Sequence, residues 1–169
     1  MKTVLILDDR QDRFNGFMHL FPDWKFFTCK TFSSAITTIR QQPRLDAVFL
    51  DHDLAEGDAK KDADFIPGFN HEDKRYLNGQ DFCLALRDLM GKFDTEQKLP
   101  PRALIHSWNA WGAEEMNKIL NCVFAPAWFK TLVWPMPGPV ERCEDINKMT
   151  ADHRLRVLDF KTKIEELMK

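Results

Sequence analysis

Short apolar runs that end in polar residues alternate along the chain with segments whose apolar positions recur every three or four residues. Residues 4–7 (VLIL) form a continuous apolar run, the pattern of a strand covered on both faces, and Asp8, Asp9 and Arg10 end it. Phe14, Phe17, Met18 and Phe21 follow at helical spacing, and Pro22 stops that helix. Residues 25–29 read as a second strand. Ser33 or Ser34 starts a second helix carrying Ala35, Ile36 and Ile39, which ends near Pro43. Residues 45–50 form a third strand that runs directly into Asp51, His52 and Asp53.

The middle of the chain is more polar. Residues 55–78 are a charged insertion with Gly57, Pro67 and Gly68, longer than the usual connection, and therefore either a functional lid or a plain mobile loop. Asn78 and Gly79 then precede a helix with Phe82, Leu86 and Leu89 along one face. Residues 103–105 give a fourth strand ending at His106 and Ser107. Asn109 caps a helix over 112–121, with Glu114 and Glu115 in its first turn and Met116, Ile119 and Leu120 on its buried face. Residues 131–134 are a fifth strand, PMPGPV is a rigid loop, and Asp152 opens a last helix with Val157, Phe160, Ile164 and Leu167 at helical spacing. Repeated strand–helix alternation predicts a three-layer α/β fold: a five-stranded, mostly parallel, doubly wound sheet with helices on both faces. No repeat or linker divides residues 1–169, so a single domain is expected.

Composition narrows the function classes. The chain has 24 basic and 26 acidic residues, a net charge of -2, which gives no global electrostatic case for wrapping duplex DNA or adhering to a membrane. No apolar stretch is long enough to cross a bilayer, and the run in MKTVLILDD stops too early for a secretory leader. The four cysteines (Cys29, Cys83, Cys122 and Cys143) are widely spaced, as buried thiols in a reducing compartment would be. A cytoplasmic protein is the expectation.

Chemistry-bearing residues gather at strand ends. Ligand sites in open parallel sheets form beyond the carboxyl ends of the strands. Asp8 and Asp9 follow the first strand, Asp51 to Asp53 the third, and His106 to Asn109 the fourth. If the first and third strands are neighbours, several carboxylates share one crevice, where they repel unless protonated or neutralised. A hard, oxygen-ligated ion such as magnesium solves that, whereas no HExxH or paired-cysteine spacing calls for zinc. His52 and His106 are the groups able to exchange a proton near neutrality, although His52 follows Asp51 in extended chain and the two side chains diverge if that geometry persists. Ser107 and Asn109 offer a hydroxyl and an amide to phosphate oxygens, unless Asn109 serves only as a cap. Trp108 and Trp111 bracket Asn109 and either stack on a base or pack the loop onto its helix.

These residues resemble those of a response-regulator receiver domain: the acidic pair Asp8–Asp9, an aspartate (Asp51) after the third strand, and a hydroxyl (Ser107) after the fourth. NGQDFCLALR, residues 78–87, is similar to the receiver's third helix. The receiver's Lys–Pro at the end of the fifth strand is replaced by Trp134–Pro135, which argues against ordinary phosphorelay signalling. LDHDL and IHSWNAWGAEEM narrow the resemblance to the receiver-like family proposed to process cyclic phosphates, through His52 and through His106, Ser107, Asn109, Gly112 and Met116. Ala110 stands where that family usually has proline-like turn chemistry. The resemblance spans roughly residues 3–167.

It implies a receiver/flavodoxin-like strand order 2-1-3-4-5 and a metal-assisted phosphoesterase acting on a small phosphate ester, a cyclic nucleotide or an RNA end bearing a 2′,3′-cyclic phosphate. Asp8, Asp9 and Asp51 would hold magnesium or manganese, with Asp53 either adding its backbone carbonyl or orienting His52. His106 would handle the attacking water and His52 the leaving oxygen, or the reverse, while Ser107, Trp108 and Asn109 bind substrate. The alternative is a catalytically inactive pseudo-receiver serving as a binding or regulatory module. Oligomeric state is not legible.

Overall fold

The apolar runs become five parallel strands: β1 (Thr3–Leu7), β2 (Lys25–Cys29), β3 (Ala47–Leu50), β4 (Arg102–Ile105) and β5 (Lys130–Val133). In the computed structural model they form one sheet in the order β2-β1-β3-β4-β5, the expected receiver-type arrangement. The structure describes residues 1–42, 45–54, 77–92, 102–121, 129–141 and 145–169. Most of the 55–78 insertion lies outside those residues, as do Cys122 and Cys143. Among the described residues, six helices accompany the strands: α1 (Gln11–Leu20), α2 (Phe32–Gln41), α3 (Gly79–Lys92), α4 (Ala110–Leu120), α5 (Gly138–Glu141) and α6 (Ala151–Leu167).

The central strands are apolar on both faces because both faces are covered. Side chains alternate along a strand. Leu5, Leu7, Val48, Leu50, Ala103 and Ile105 therefore pack with residues of α2, α3 and α4. Val4, Ile6, Ala47, Phe49 and Leu104 pack on the other face with residues of α1, α5 and α6. Each of these eleven strand side chains has no exposed surface, and burying a Leu, Ile or Phe contributes about 1.5–3 kcal/mol.

Capping sets the helix starts. Thr31 closes a capping box with Ser34, which moves the start of α2 to Phe32, just ahead of the expected serine. Asn78 accepts from the Gln80 and Asp81 amides (2.9 and 3.2 Å), and the Asp81 carboxylate accepts from the Asn78 amide (3.0 Å). Thr150 caps α6 in place of the expected Asp152. The PMPGPV segment contains the short helix α5 and is not all loop, while Val140 buries itself against α1.

Candidate functional site

Strand register brings the predicted residues to one edge of the sheet. Leu7 of β1 pairs with Leu50 of β3, so Asp8 and Asp51 leave the sheet side by side at its topological switch point. Backbone bonds continue one residue past each strand: the Asp51 amide donates to the Leu7 carbonyl (2.9 Å) and the His106 amide to the Leu50 carbonyl (3.0 Å). Strand alternation therefore still governs where these side chains point. Asp8, Asp51 and His106 continue the rows of Ile6, Phe49 and Leu104 and face α1; His52 continues the row of Leu50 and faces α4.

Carboxylate oxygens of Asp8, Asp9 and Asp51 lie within 4.8 Å of one another. Asp8 has no exposed surface and Asp51 is almost as buried, so an ionised pair there calls for a cation. Burial pushes the Asp8 carboxyl up to about 7, despite a 2.9 Å bond from the Arg10 amide and the nearby Arg13 guanidinium. Burial also raises the Asp51 pKa, against the opposing pull of Arg13 and the Ser107 hydroxyl. The donor set is hard oxygen and short of positive charge, which fits a hard cation. The chain thus carries a largely buried acidic cluster able to chelate a metal ion.

Arg13 is the residue that sequence reading missed. From the first turn of α1 its Nη1 reaches Oδ2 of Asp51 at 2.7 Å and Oδ2 of Asp8 at 3.2 Å. Long helical side chains lean toward the helix N-terminus, which carries this guanidinium back over the strand ends. The only available signal was a cation one turn downstream of an acidic pair.

His106 is sealed under this cluster. It has no exposed surface, its ring meets the edge of Phe17 (centroids 5.1 Å apart, planes at 73°), and Nδ1 stands 3.6 Å from Oδ2 of Asp8. Neither ring nitrogen has a hydrogen-bond partner among the described residues. Burial, reinforced by the Arg13 charge, drives the His106 pKa down to about 3, so the imidazole is neutral near pH 7.

His52 has different surroundings. Its Nδ1 lies 2.6 Å from Oδ1 of Asp53, a carboxylate that can only accept, so Nδ1 carries the proton and Nε2 the lone pair. The ring occupies the space left by the missing side chain of Gly112: a Cβ there would stand 2.3 Å from Cδ2. Asn109 does two things at once. Its Oδ1 accepts from the Gly112 amide (2.9 Å), capping α4, and its Nδ2 donates to Oδ1 of Asp53 (3.3 Å). Gly79 donates its amide to the His52 carbonyl (2.9 Å), and a Cβ on it would meet the Asp51 carbonyl oxygen at 2.3 Å and the Met116 sulfur at 2.8 Å. The spacing of Asn109, Gly112 and Met116 is thereby explained: cap, room for a ring, and closure against the start of α3.

The predicted site residues divide into two groups. Asp8, Asp9, Asp51, Ser107 and His106 share the acidic pocket, whereas His52, Asp53 and Asn109 form a chain toward α4. Among the described residues Asp53 stands with His52 and Asn109 and not in the carboxylate trio. The Asn109 amide is occupied by these contacts, and Ser107 Oγ also accepts from the Asn109 backbone amide (3.2 Å). Trp108 and Trp111 are 58% and 68% exposed. In the receiver lysine's place Trp134 packs against the core on the α1 side, its amide bonded to the Ile105 carbonyl (2.9 Å). No described helix is long and apolar enough to cross a membrane.

Comparison with known proteins agrees with this geometry. The chain is similar in structure to a CheY-like response regulator receiver domain protein from Methanospirillum hungatei JF-1, with 12% identity, 99% of this chain and 94% of that one covered, and a TM-score of 0.54. It is also similar to a response regulator receiver domain protein from Clostridium thermocellum, with 10% identity, 99% of both chains covered and a TM-score of 0.51. At such identities these likenesses show the fold alone. No curated protein sequence matches. The family model described as the cyclic-phosphate processing receiver domain matches residues 3–122, well over half of the chain. With that match beside an acidic pocket at the switch point, the chain belongs to the family of cyclic-phosphate processing receiver domains.

Proposed function

We propose that this domain is a metal-assisted phosphoesterase that opens a cyclic phosphate, on a cyclic nucleotide or an RNA end with a 2′,3′-cyclic phosphate. The observation that carries the reading is the convergence of Asp8, Asp9 and Asp51 within 4.8 Å, with a neutral histidine 3.6 Å from one of them. Magnesium or manganese held by the three aspartates would neutralise the phosphate and polarise its phosphorus–oxygen bonds.

The reaction adds water across one phosphoester bond. A water oxygen bonds to phosphorus and keeps one proton, the bond to one ring oxygen breaks, that oxygen takes a proton from His52 as a new hydroxyl, and the water's other proton replaces the one His52 gave up. His106, neutral and desolvated, suits holding and orienting water beside Asp8 better than carrying charge. His52, with its Nδ1 proton fixed on Asp53, is equipped to hold a second proton on Nε2 and deliver it to the leaving oxygen. Ser107, whose hydroxyl bonds to the Asp51 carboxylate, would lend that hydroxyl to a phosphate oxygen. Asn109 acts by holding Asp53 and His52 in place. Trp108, together with Trp111, offers an exposed aromatic surface on which a nucleobase can stack.

One observation favours a second reading, a binding or regulatory module without chemistry. Both imidazoles are closed off from solvent, and they lie on opposite faces of the sheet. Calorimetric titration with magnesium, followed by a 2′,3′-cyclic nucleotide, separates the two. The enzyme reading expects an ion site that Asp51→Asn weakens, with heat of reaction on adding the nucleotide. Nucleotide binding with no product formed would select the module.

A further inference from the structure

Arg13 is the one buried lysine or arginine among the described residues, and its side chain is only 7% exposed. A guanidinium loses a large hydration energy on burial and is found in such places only where carboxylates or phosphates replace the water. One nitrogen of Arg13 contacts both Asp8 and Asp51, so it sits on two of the three carboxylates that can chelate an ion. The fork of a guanidinium suits phosphate oxygens as well as it suits carboxylates. The fifth-strand end supplies no such group, because Trp134 and Pro135 occupy it.

We infer that Arg13 is the phosphate-gripping cation of this site, supplied from α1 and parked on Asp8 and Asp51 while no ion is bound. Three carboxylates and one guanidinium leave the pocket negative, and a divalent ion makes it neutral. An ion on the carboxylate oxygens would compete with the guanidinium for them and let it turn to an incoming phosphate. The residue thus has two jobs in sequence: it holds the acidic pocket together when empty, and it binds substrate when loaded. The inference rests on the phosphoesterase reading for its substrate, though not for the exchange of partners.

The test is a calorimetric titration of the whole chain with magnesium alone, then of the magnesium-loaded protein with inorganic phosphate. Arg13→Gln should bind magnesium at least as tightly as the wild type, since no resident cation competes. Its phosphate affinity should fall by about 10- to 100-fold, the worth of one or two charge-assisted hydrogen bonds. Arg13→Lys, which keeps the charge without the fork, should recover part of that loss, and it serves as the readable variant if Arg13→Gln does not fold. Equal loss of magnesium and phosphate affinity in a folded Arg13→Gln would overturn the inference, since Arg13 would then only prop up the carboxylates. Undiminished phosphate affinity in either variant would overturn it too. A wild-type protein that binds ion and phosphate yet turns over no cyclic phosphate would refute the enzyme reading and leave Arg13's role standing.

Discussion

The His52 ring lies in the space that a side chain on Gly112 would fill, with the position of a Cβ only 2.3 Å from Cδ2 of the imidazole. A glycine in the first turn of α4 thereby fixes the seat of a histidine more than fifty residues earlier in the chain. Gly112→Ala should expel the ring from that seat. Overpacking of this kind costs about 1–3 kcal/mol, so the melting temperature should drop by a few degrees while the protein still folds. Cyclic-phosphate turnover should fall far more than stability does. A melting curve and an activity assay on the same preparation check this; unchanged turnover would show that the ring's position is immaterial.

Asp53 is bonded to His52 and Asn109 and stands apart from the carboxylate trio. Asp53→Asn should therefore slow turnover by about 10- to 100-fold through loss of the acceptor that orients the His52 ring through its Nδ1, an effect in the range of general acid catalysis. Magnesium affinity should stay unchanged. A matching loss of ion affinity would return Asp53 to the metal.

Asp8 and His106 respond to pH with opposite signs. The Asp8 pKa is raised from 3.8 to about 7, so its contribution to stability is complete below about 4 and is lost as pH rises through about 7. The His106 pKa is lowered from 6.5 to about 3, so its contribution is present above 6.5 and is lost as pH falls through about 3. Between about 4 and 6.5 the native state keeps a proton on Asp8 and denies one to His106, and the two slopes cancel. Removing one partner unmasks the other. In chelator, His106→Gln should melt at lower temperature as pH rises through that window, relative to wild type. Asp8→Asn should show the opposite trend. Parallel profiles for all three proteins, measured by scanning calorimetry, would contradict the assignment.

Trp108 and Trp111 are too exposed to matter much to stability. Replacing either with alanine should leave the melting temperature within about a degree. KM for a nucleoside cyclic phosphate should rise by about tenfold, the lower end of what base stacking on one aromatic contributes. A base-free cyclic phosphate ester should show no such change. Equal effects on both substrates would remove the base from the account.

Legibility in the sequence followed physical range. The strands were readable because VLIL and the run before Asp51 are apolar on both faces and end abruptly in acids, so the sheet and the meeting of Asp8 with Asp51 followed from the switch-point rule. Arg13 was not readable, since its reach depends on a helix lying over the strand ends and on the lean of one long side chain. The parting of His52 and His106 required knowing which face of the sheet each strand-end residue continues. Adjacency in extended chain disclosed in advance only that the side chains of Asp51 and His52 diverge. Trp108 and Trp111 fit either packing or stacking as residue types, and their exposure is set by tertiary placement that local sequence does not carry.

That the acidic pocket with His106, helped by His52 on the other face of the sheet, opens a cyclic phosphate with a divalent ion has one direct test. Purified protein is incubated with a 2′,3′-cyclic nucleotide, and the phosphorus is followed by NMR with magnesium, after chelation, and in Asp51→Asn. The expected result is conversion of the cyclic diester signal to a monoester with magnesium, none after chelation, recovery when the ion is restored, and none in the variant. A cyclic phosphate that survives intact in every sample, with 3′,5′-cyclic nucleotides and cyclic-ended RNA surviving likewise, would contradict it.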